Sequence, residues 1–175
     1  MQRQVENLLD LAAIEWDEFE YQRVLVGLNE LTNDAAQTIH LLVEEKGGKL
    51  NMELFAENDN IIADKMHITN AIVNLLTNAV KYSNGIPEIT IRTYNIGLNI
   101  VIEVKDNGMG IPGKYHRYIF DKYFRVPTGD VHNIKGFGIG LSYVKSVVEA
   151  HNGKVHVESE PGKGSIFTVS FPIEN

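Results

Sequence analysis

Along residues 1–19, Val5, Leu9, Ala12, Trp16 and Phe19 recur at spacings of 4, 3, 4 and 3, the seam of a helical heptad. The seam runs for about two heptads, short of the three to four that define a coiled coil. It fits equally a helix packed on its own domain and the trailing end of a longer dimerising helix. From 64 to about 82 the period is helical again. Ile68, Ile72, Leu75, Leu76 and Ala79 fill one side, and Asp64 stands where an N-cap belongs. Further helices are predicted over 28–45, closed by Gly47-Gly48, and over 139–151, stopped by Asn152-Gly153, with a short one near 114–120. Strands are predicted over 21–26, 49–55, 61–63, 88–94, 99–105, 154–158 and 165–171. The turns Asn95-Ile96-Gly97-Leu98 and Pro161-Gly162-Lys163-Gly164 join two of these pairs as hairpins. This irregular alternation predicts an α+β fold, a two-layer α/β sandwich with one mixed sheet covered by helices on one face.

Composition narrows the field. At 175 residues the chain is long enough for one well-buried core and short for two. A net charge of −7 argues against nucleic acid as a main partner, so an anionic ligand would need local cations and backbone dipoles. Without cysteine, disulfide, thiolate-metal and thiol-nucleophile chemistry are excluded. No apolar run approaches the roughly 20 residues of a membrane span, and the reading is of a soluble, intracellular chain. The six histidines show no metal-ligand spacing, so each reads as a surface or cap residue.

Three patterns carry candidate chemistry. Asp106-Asn107-Gly108-Met109-Gly110 follows the apolar run 98–104, placing a carboxylate beside backbone that can approach a flat ligand closely. Asn70, Asn74, Thr77, Asn78 and Lys81 fall within an arc of roughly 100° on the helix 64–82. Asparagine competes with the helix backbone, so three of them on one stripe suit a ligand-facing surface better than a solvated one. An Asn amide offers a neutral oxygen to a hard cation, and Lys81 offers a point charge to phosphate. Gly136-Phe137-Gly138-Ile139-Gly140 opens a helix whose N–H groups would face an anion, although it matches neither a dinucleotide fingerprint nor a P-loop.

In combination these blocks resemble a family. Asn74-Leu75-Leu76-Thr77-Asn78-Ala79-Val80-Lys81-Tyr82-Ser83 is similar to the N box of bacterial sensor histidine kinases, and Asp106-x-Gly108-x-Gly110 to their first glycine box. Residues 119–125 resemble the F box, Gly136-x-Gly138-x-Gly140-Leu141 the second glycine box, and Gly162-Lys163-Gly164-Ser165-x-Phe167 the closing turn. All five stand in the family's order between about 20 and 172.

The resemblance implies the Bergerat-type ATP-binding fold, a mixed sheet backed by three helices. It implies that Asp106 accepts from the adenine amino group, with Ile111 among the pocket walls and Tyr82 beside the base. Asn78 would bind Mg2+. Lys81 and Arg125 would meet the phosphates. Residues 126–135 would form a mobile ATP lid tethered by Phe120 and Phe124, and nucleotide contacts would extend over Lys135, Gly136, Phe137, Gly138, Gly140 and Leu141. Many members carry a small polar residue where Phe137 stands.

Asn74 occupies the position at which related hydrolases carry a water-activating Glu. An amide cannot act as a general base, so the resemblance implies phosphotransfer, with Asn74 and Arg125 as catalytic residues. No histidine has the family's phosphoacceptor context H-[ED]-x-x-[RN]-x-P, so the substrate histidine is expected on a separate dimerisation domain. Leu8-Leu9-Asp10-Leu11 resembles the tail of that helical hairpin. Residues 1–19 then read as its cut end and 20–175 as the catalytic domain. The implied partners are that dimerisation domain and a cognate response regulator, in a homodimeric parent anchored in the inner membrane with this domain cytoplasmic. An ATP-gated binding module and an anti-sigma-type serine kinase are the alternatives.

Overall fold

The computed structural model describes residues 20–127 and 137–174. The predicted helix over 1–19 lies outside them. Strand β1 (Val24–Gly27) leads into helix α1 (Leu28–Glu45), followed by β2 (Lys49–Leu54), β3 (Asn60–Ala63) and helix α2 (Lys65–Lys81). Strands β4 (Glu88–Ile96) and β5 (Asn99–Asp106), helix α3 (Gly140–Ala150), and strands β6 (Lys154–Glu160) and β7 (Gly164–Pro172) complete the order.

Five strands form one mixed sheet in the order β2-β4-β5-β7-β6, parallel only between β2 and β4. The helices pack on one face of it, as the two-layer reading expected. Strand alternation decides which side chains meet them. Ile89, Ile91 and Thr93 of β4, Ile100, Ile102 and Val104 of β5, and Phe167, Val169 and Phe171 of β7 are all buried, two residues apart along each strand. Asp106 is the next residue of the β5 set, so the strand's own period turns its carboxylate inward. The opposite face carries Arg92, placed between Glu53 and Glu103 at 3.4 and 3.5 Å.

Helix α1 keeps the predicted bounds because its apolar positions, Leu28, Leu31, Ala35, Ile39 and Val43, stay in helical register and are all buried. Helix α2 starts where predicted, with the Asp64 side chain accepting from the His67 N–H at 3.1 Å. Two predictions need correction. The strand expected from residue 21 begins at Val24, because its partner β3 is only four residues long. The helix expected near 114–120 is a 3-10 turn, Gly113–Tyr115, running into further turns. Its bonds skip three residues, Tyr115 N to Pro112 O and Tyr118 N to Tyr115 O, while the His116 ring bonds back to Ile111 O at 2.9 Å. Among the described residues no helix is long and apolar enough to cross a membrane.

Candidate active site

Asp106 ends β5 at 7 % exposure. Its Oδ1 accepts the N–H groups of Gly108 at 2.7 Å and Ser165 at 3.1 Å, while Oδ2 receives no hydrogen bond among the described residues. Burial pushes the carboxyl above an ordinary aspartate's value, and the two N–H donors pull it back. The site therefore holds a fixed, partly desolvated acceptor with one oxygen unspent.

The turn after Asp106 is packed too tightly for side chains. Gly110 sits at φ 70, and a Cβ there would fall 1.9 Å from Glu160 O. Gly164, at φ 87, would place one 2.0 Å from Asp106 O. Both positions require glycine, for conformation and for space. The turn is tied to α2 through Met109 N–H to Tyr82 O at 3.0 Å and a bridge between Ser83 and Gly108. A further bond, Gly162 N–H to Met109 O at 2.7 Å, ties it to the closing turn.

The second half of α2 runs along this pocket. Asn74, Asn78, Lys81 and Tyr82 are all half-buried, and the Lys81 ammonium lies 5.6 Å from the centre of the Tyr82 ring. Burial raises the Tyr82 hydroxyl, opposed by the nearby Arg125 guanidinium, which puts that exposed cation at the same end of the site. Asn74 Oδ1 meets the start of α3 so closely that a Cβ on Gly140 would approach it to 2.8 Å. The N-cap residue of α3, Ile139, has no side chain that can accept, so among the described residues the helix's opening N–H groups are suited to an anion.

The F box joins the second glycine box directly. Tyr123, held at φ 66, donates its N–H to Gly138 O at 2.9 Å. Phe120 meets Phe167 edge-on at 6.4 Å, and Phe124 packs between Tyr115 and Tyr118 at 5.8 and 5.7 Å. Leu141 is half-buried against the core and Phe137 is exposed. Lys135 and Gly136, with most of the expected lid, lie outside the described residues.

Asn70 does not belong to this surface. Its side chain lies beside the Tyr143 hydroxyl of α3 and opposes that hydroxyl's upward shift, and its main-chain carbonyl accepts from Asn74 Nδ2 at 3.0 Å. The polar stripe on α2 is thus divided, Asn70 lying toward α3 and Asn78 and Lys81 at the end of the helix that meets the Asp106 turn through Tyr82. Of the histidines read as surface or cap residues, His151 is the C-cap of α3 and is buried there at 4 % exposure, whereas His67 lies buried at 6 % exposure inside α2 and is neither. Sequence reading missed Ser159, whose hydroxyl accepts the Ile111 N–H at 2.8 Å. A serine inside an alternating strand gave no signal.

Asp106 Oδ2, the packed glycines and the α3 amides suit a ligand with an amino group at one end and negative charge at the other. A divalent cation fits only as a companion of such a ligand. Among the described residues no group of three or more His, Cys, Asp or Glu could hold a metal, whereas the Asn78 amide can add one neutral oxygen to phosphate oxygens and water.

A family model described as "Histidine kinase-, DNA gyrase B-, and HSP90-like ATPase" matches residues 63–175. The chain is 39% identical over 174 residues to "Sensor protein RprX" of Bacteroides fragilis, spanning 97% of this chain and 33% of that protein. It is 33% identical over 173 residues to "Sensor histidine kinase RcsC" of Escherichia coli, spanning 97% of this chain and 18% of that protein. It thus spans a third or less of the length of these curated relatives. Among solved structures, the catalytic domain of histidine kinase ThkA superposes with a TM-score of 0.75 at 24% identity, covering 87% of this chain and 96% of that one. Full-length ShkA in complex with AMPPNP gives a TM-score of 0.81 at 23% identity, covering 98% of this chain and 35% of that one. These two likenesses establish the fold.

Proposed function

Because the chain belongs to the histidine kinase-, DNA gyrase B- and HSP90-like ATPase family, we propose that it binds ATP between α2 and the Asp106 turn and transfers the γ-phosphate to a histidine on another domain. The observation that carries the binding half is the divided Asp106 carboxylate, one oxygen spent on two backbone donors and one free. A free carboxylate oxygen in a low-dielectric pocket accepts the amino group of adenine. It opposes the 6-oxo group of guanine, which would set acceptor against acceptor. Full-length ShkA, similar in fold, is in complex with AMPPNP, which supports a nucleotide here.

The transfer half rests on Asn74. An amide takes no proton from water, so the γ-phosphate is spared hydrolysis and kept for a nucleophile delivered from elsewhere. Asn74 Oδ1 lies against the start of α3, whose first amides would face the phosphates. Lys81 and Arg125 neutralise charge on the transferring group, and Tyr82 lies beside the base. Asn78 would hold Mg2+, which would supply positive charge to offset that of the phosphates.

The two relatives described above are sensor proteins in which this chain's counterpart is a minor part. The acceptor histidine would lie on a dimerisation hairpin whose last helix ends in residues 1–19, in a homodimeric, membrane-anchored parent. ThkA is found in complex with the response regulator protein TrrA, which supports a response regulator as downstream partner.

The test follows labelled γ-phosphate in a mixture of this chain, Mg·ATP and the parent's hairpin, with Asp106→Asn as control. Acid-labile, base-stable label on the hairpin, absent from the control, is the expected result. ATP binding without label on protein would replace transfer by a nucleotide-gated binding module.

A further inference from the structure

Ile111 is gripped from both sides of its peptide. Its N–H donates to Ser159 Oγ at 2.8 Å, and its carbonyl accepts from His116 Nε2 at 2.9 Å. Ser159 stands on β6 directly across from Ser165 on β7. Its hydroxyl makes two further bonds, donating to Gly164 O at 2.9 Å and meeting Ser165 Oγ at 2.9 Å. A hydroxyl has one proton and two lone pairs. Spending the proton on Gly164 O leaves both lone pairs, one for the Ile111 N–H and one for the Ser165 hydroxyl. All three capacities are used.

The three partners are the parts of the base pocket that must keep their distance from one another. Ile111 is the half-buried apolar residue beyond the Asp106 turn. Gly164 lies hard against the Asp106 carbonyl. Ser165 holds Asp106 Oδ1 through its N–H at 3.1 Å. None of Ser159's bonds reaches α2 or α3, which line the phosphate end.

We infer that Ser159 is a positioning residue that sets the spacing between the Asp106 carboxylate and the Ile111 wall, and so serves recognition of the base rather than of the phosphates. This rests on the nucleotide reading of the site. Removing the hydroxyl leaves the half-buried Ile111 N–H without its acceptor and frees the wall from the carboxylate.

The experiment compares wild type, Ser159→Ala and Ser159→Thr for binding of ATP and of inorganic tripolyphosphate, with thermal melts of the free proteins alongside. Ser159→Ala should lose about tenfold in ATP affinity and leave tripolyphosphate unchanged, as expected for one well-made hydrogen bond. Ser159→Thr, which restores the hydroxyl, should recover most of that loss. If Ser159→Ala does not fold, Ser159→Cys, nearly isosteric with a weaker donor and acceptor, should show the same one-sided loss. Equal loss for both ligands, or none for either, would overturn the assignment. If wild type binds ATP no better than tripolyphosphate, the nucleotide reading fails and takes this inference with it; a wild-type preference for ATP that is undiminished in Ser159→Ala sinks the inference alone.

Discussion

Asp64 and Asp106 are both buried aspartates at 7 % exposure, and they do opposite work. Asp64 spends both carboxylate oxygens on the protein. Oδ1 accepts the His67 N–H at 3.1 Å and caps α2, while Oδ2 accepts the Gln22 N–H at 2.8 Å and fastens the segment before β1. Asp106 spends one oxygen on two donors and keeps the other. Burial alone marks neither as functional. What separates them is acceptor capacity left over once the fold is satisfied.

Their surroundings repeat the contrast. Around Asp64 the buried polar groups are matched to one another. The Asp64 N–H donates to His151 Nε2 at 3.0 Å, and His151 Nδ1 donates to Val147 O at 2.7 Å, which fixes a neutral ring with its proton on Nδ1. The Tyr143 hydroxyl meets His67 Nδ1 at 2.9 Å, and Tyr21 packs edge-on against both His67 and His151. Burial drives the Tyr143 hydroxyl far above its usual value and lowers His151. This cluster is closed and structural. Around Asp106, by contrast, glycines let neighbouring backbone close in on the carboxylate, and Oδ2 receives no hydrogen bond among the described residues.

The sharpest break in the comparison is Asp64→Ala. Loss of the cap and of the Gln22 bond should cost about 3 kcal/mol of stability, read by denaturant unfolding, with ATP affinity of the folded fraction intact. A stable variant that had lost ATP affinity would reverse the roles assigned to the two residues. Next comes Asp106→Asn, expected to lower ATP affinity about 30-fold, or about 2 kcal/mol, in titration calorimetry. Its melting temperature should hold or rise. The native carboxyl is protonated more readily than the unfolded one, so its charge burdens the native state at neutral pH. A drop in melting temperature together with intact binding would make Asp106 a second structural aspartate.

The smallest effect concerns pH. His151 is held neutral below its unfolded value, so between that lowered value and about pH 6.5 the unfolded chain binds more protons than the native one. Its contribution is complete above pH 6.5 and declines as pH falls through this window. Protonation would set a ring N–H against the Asp64 N–H. Melting curves from pH 7 to 5 should fall more steeply for wild type than for His151→Gln. Parallel curves would show that the ring is not tied to Asp64 in this way.

Much of this was legible in the sequence. The limits of α1 and α2, the Asp64 cap and the inward turn of Asp106 follow from periodicity, capping and strand alternation, each written within a few consecutive residues. The glycines after Asp106, which read as room for a ligand's approach, are required by the backbone of Tyr82 and Glu160. The order of the five boxes carried the nucleotide reading for the same reason. What the sequence hid was pairing across long separations. Ile111 finds Ser159 48 residues away, Asp106 finds Ser165 across 59, and Asp64 finds His151 across 87. A serine in β6 and a histidine after α3 carry no local mark of those bonds, so His151 reads as a cap and no more, and Ser159 carries no signal at all. Short-range physics set the elements and pointed the carboxylates inward. Only packing the helices onto the sheet decided which buried oxygen was consumed by the fold and which was left for a ligand.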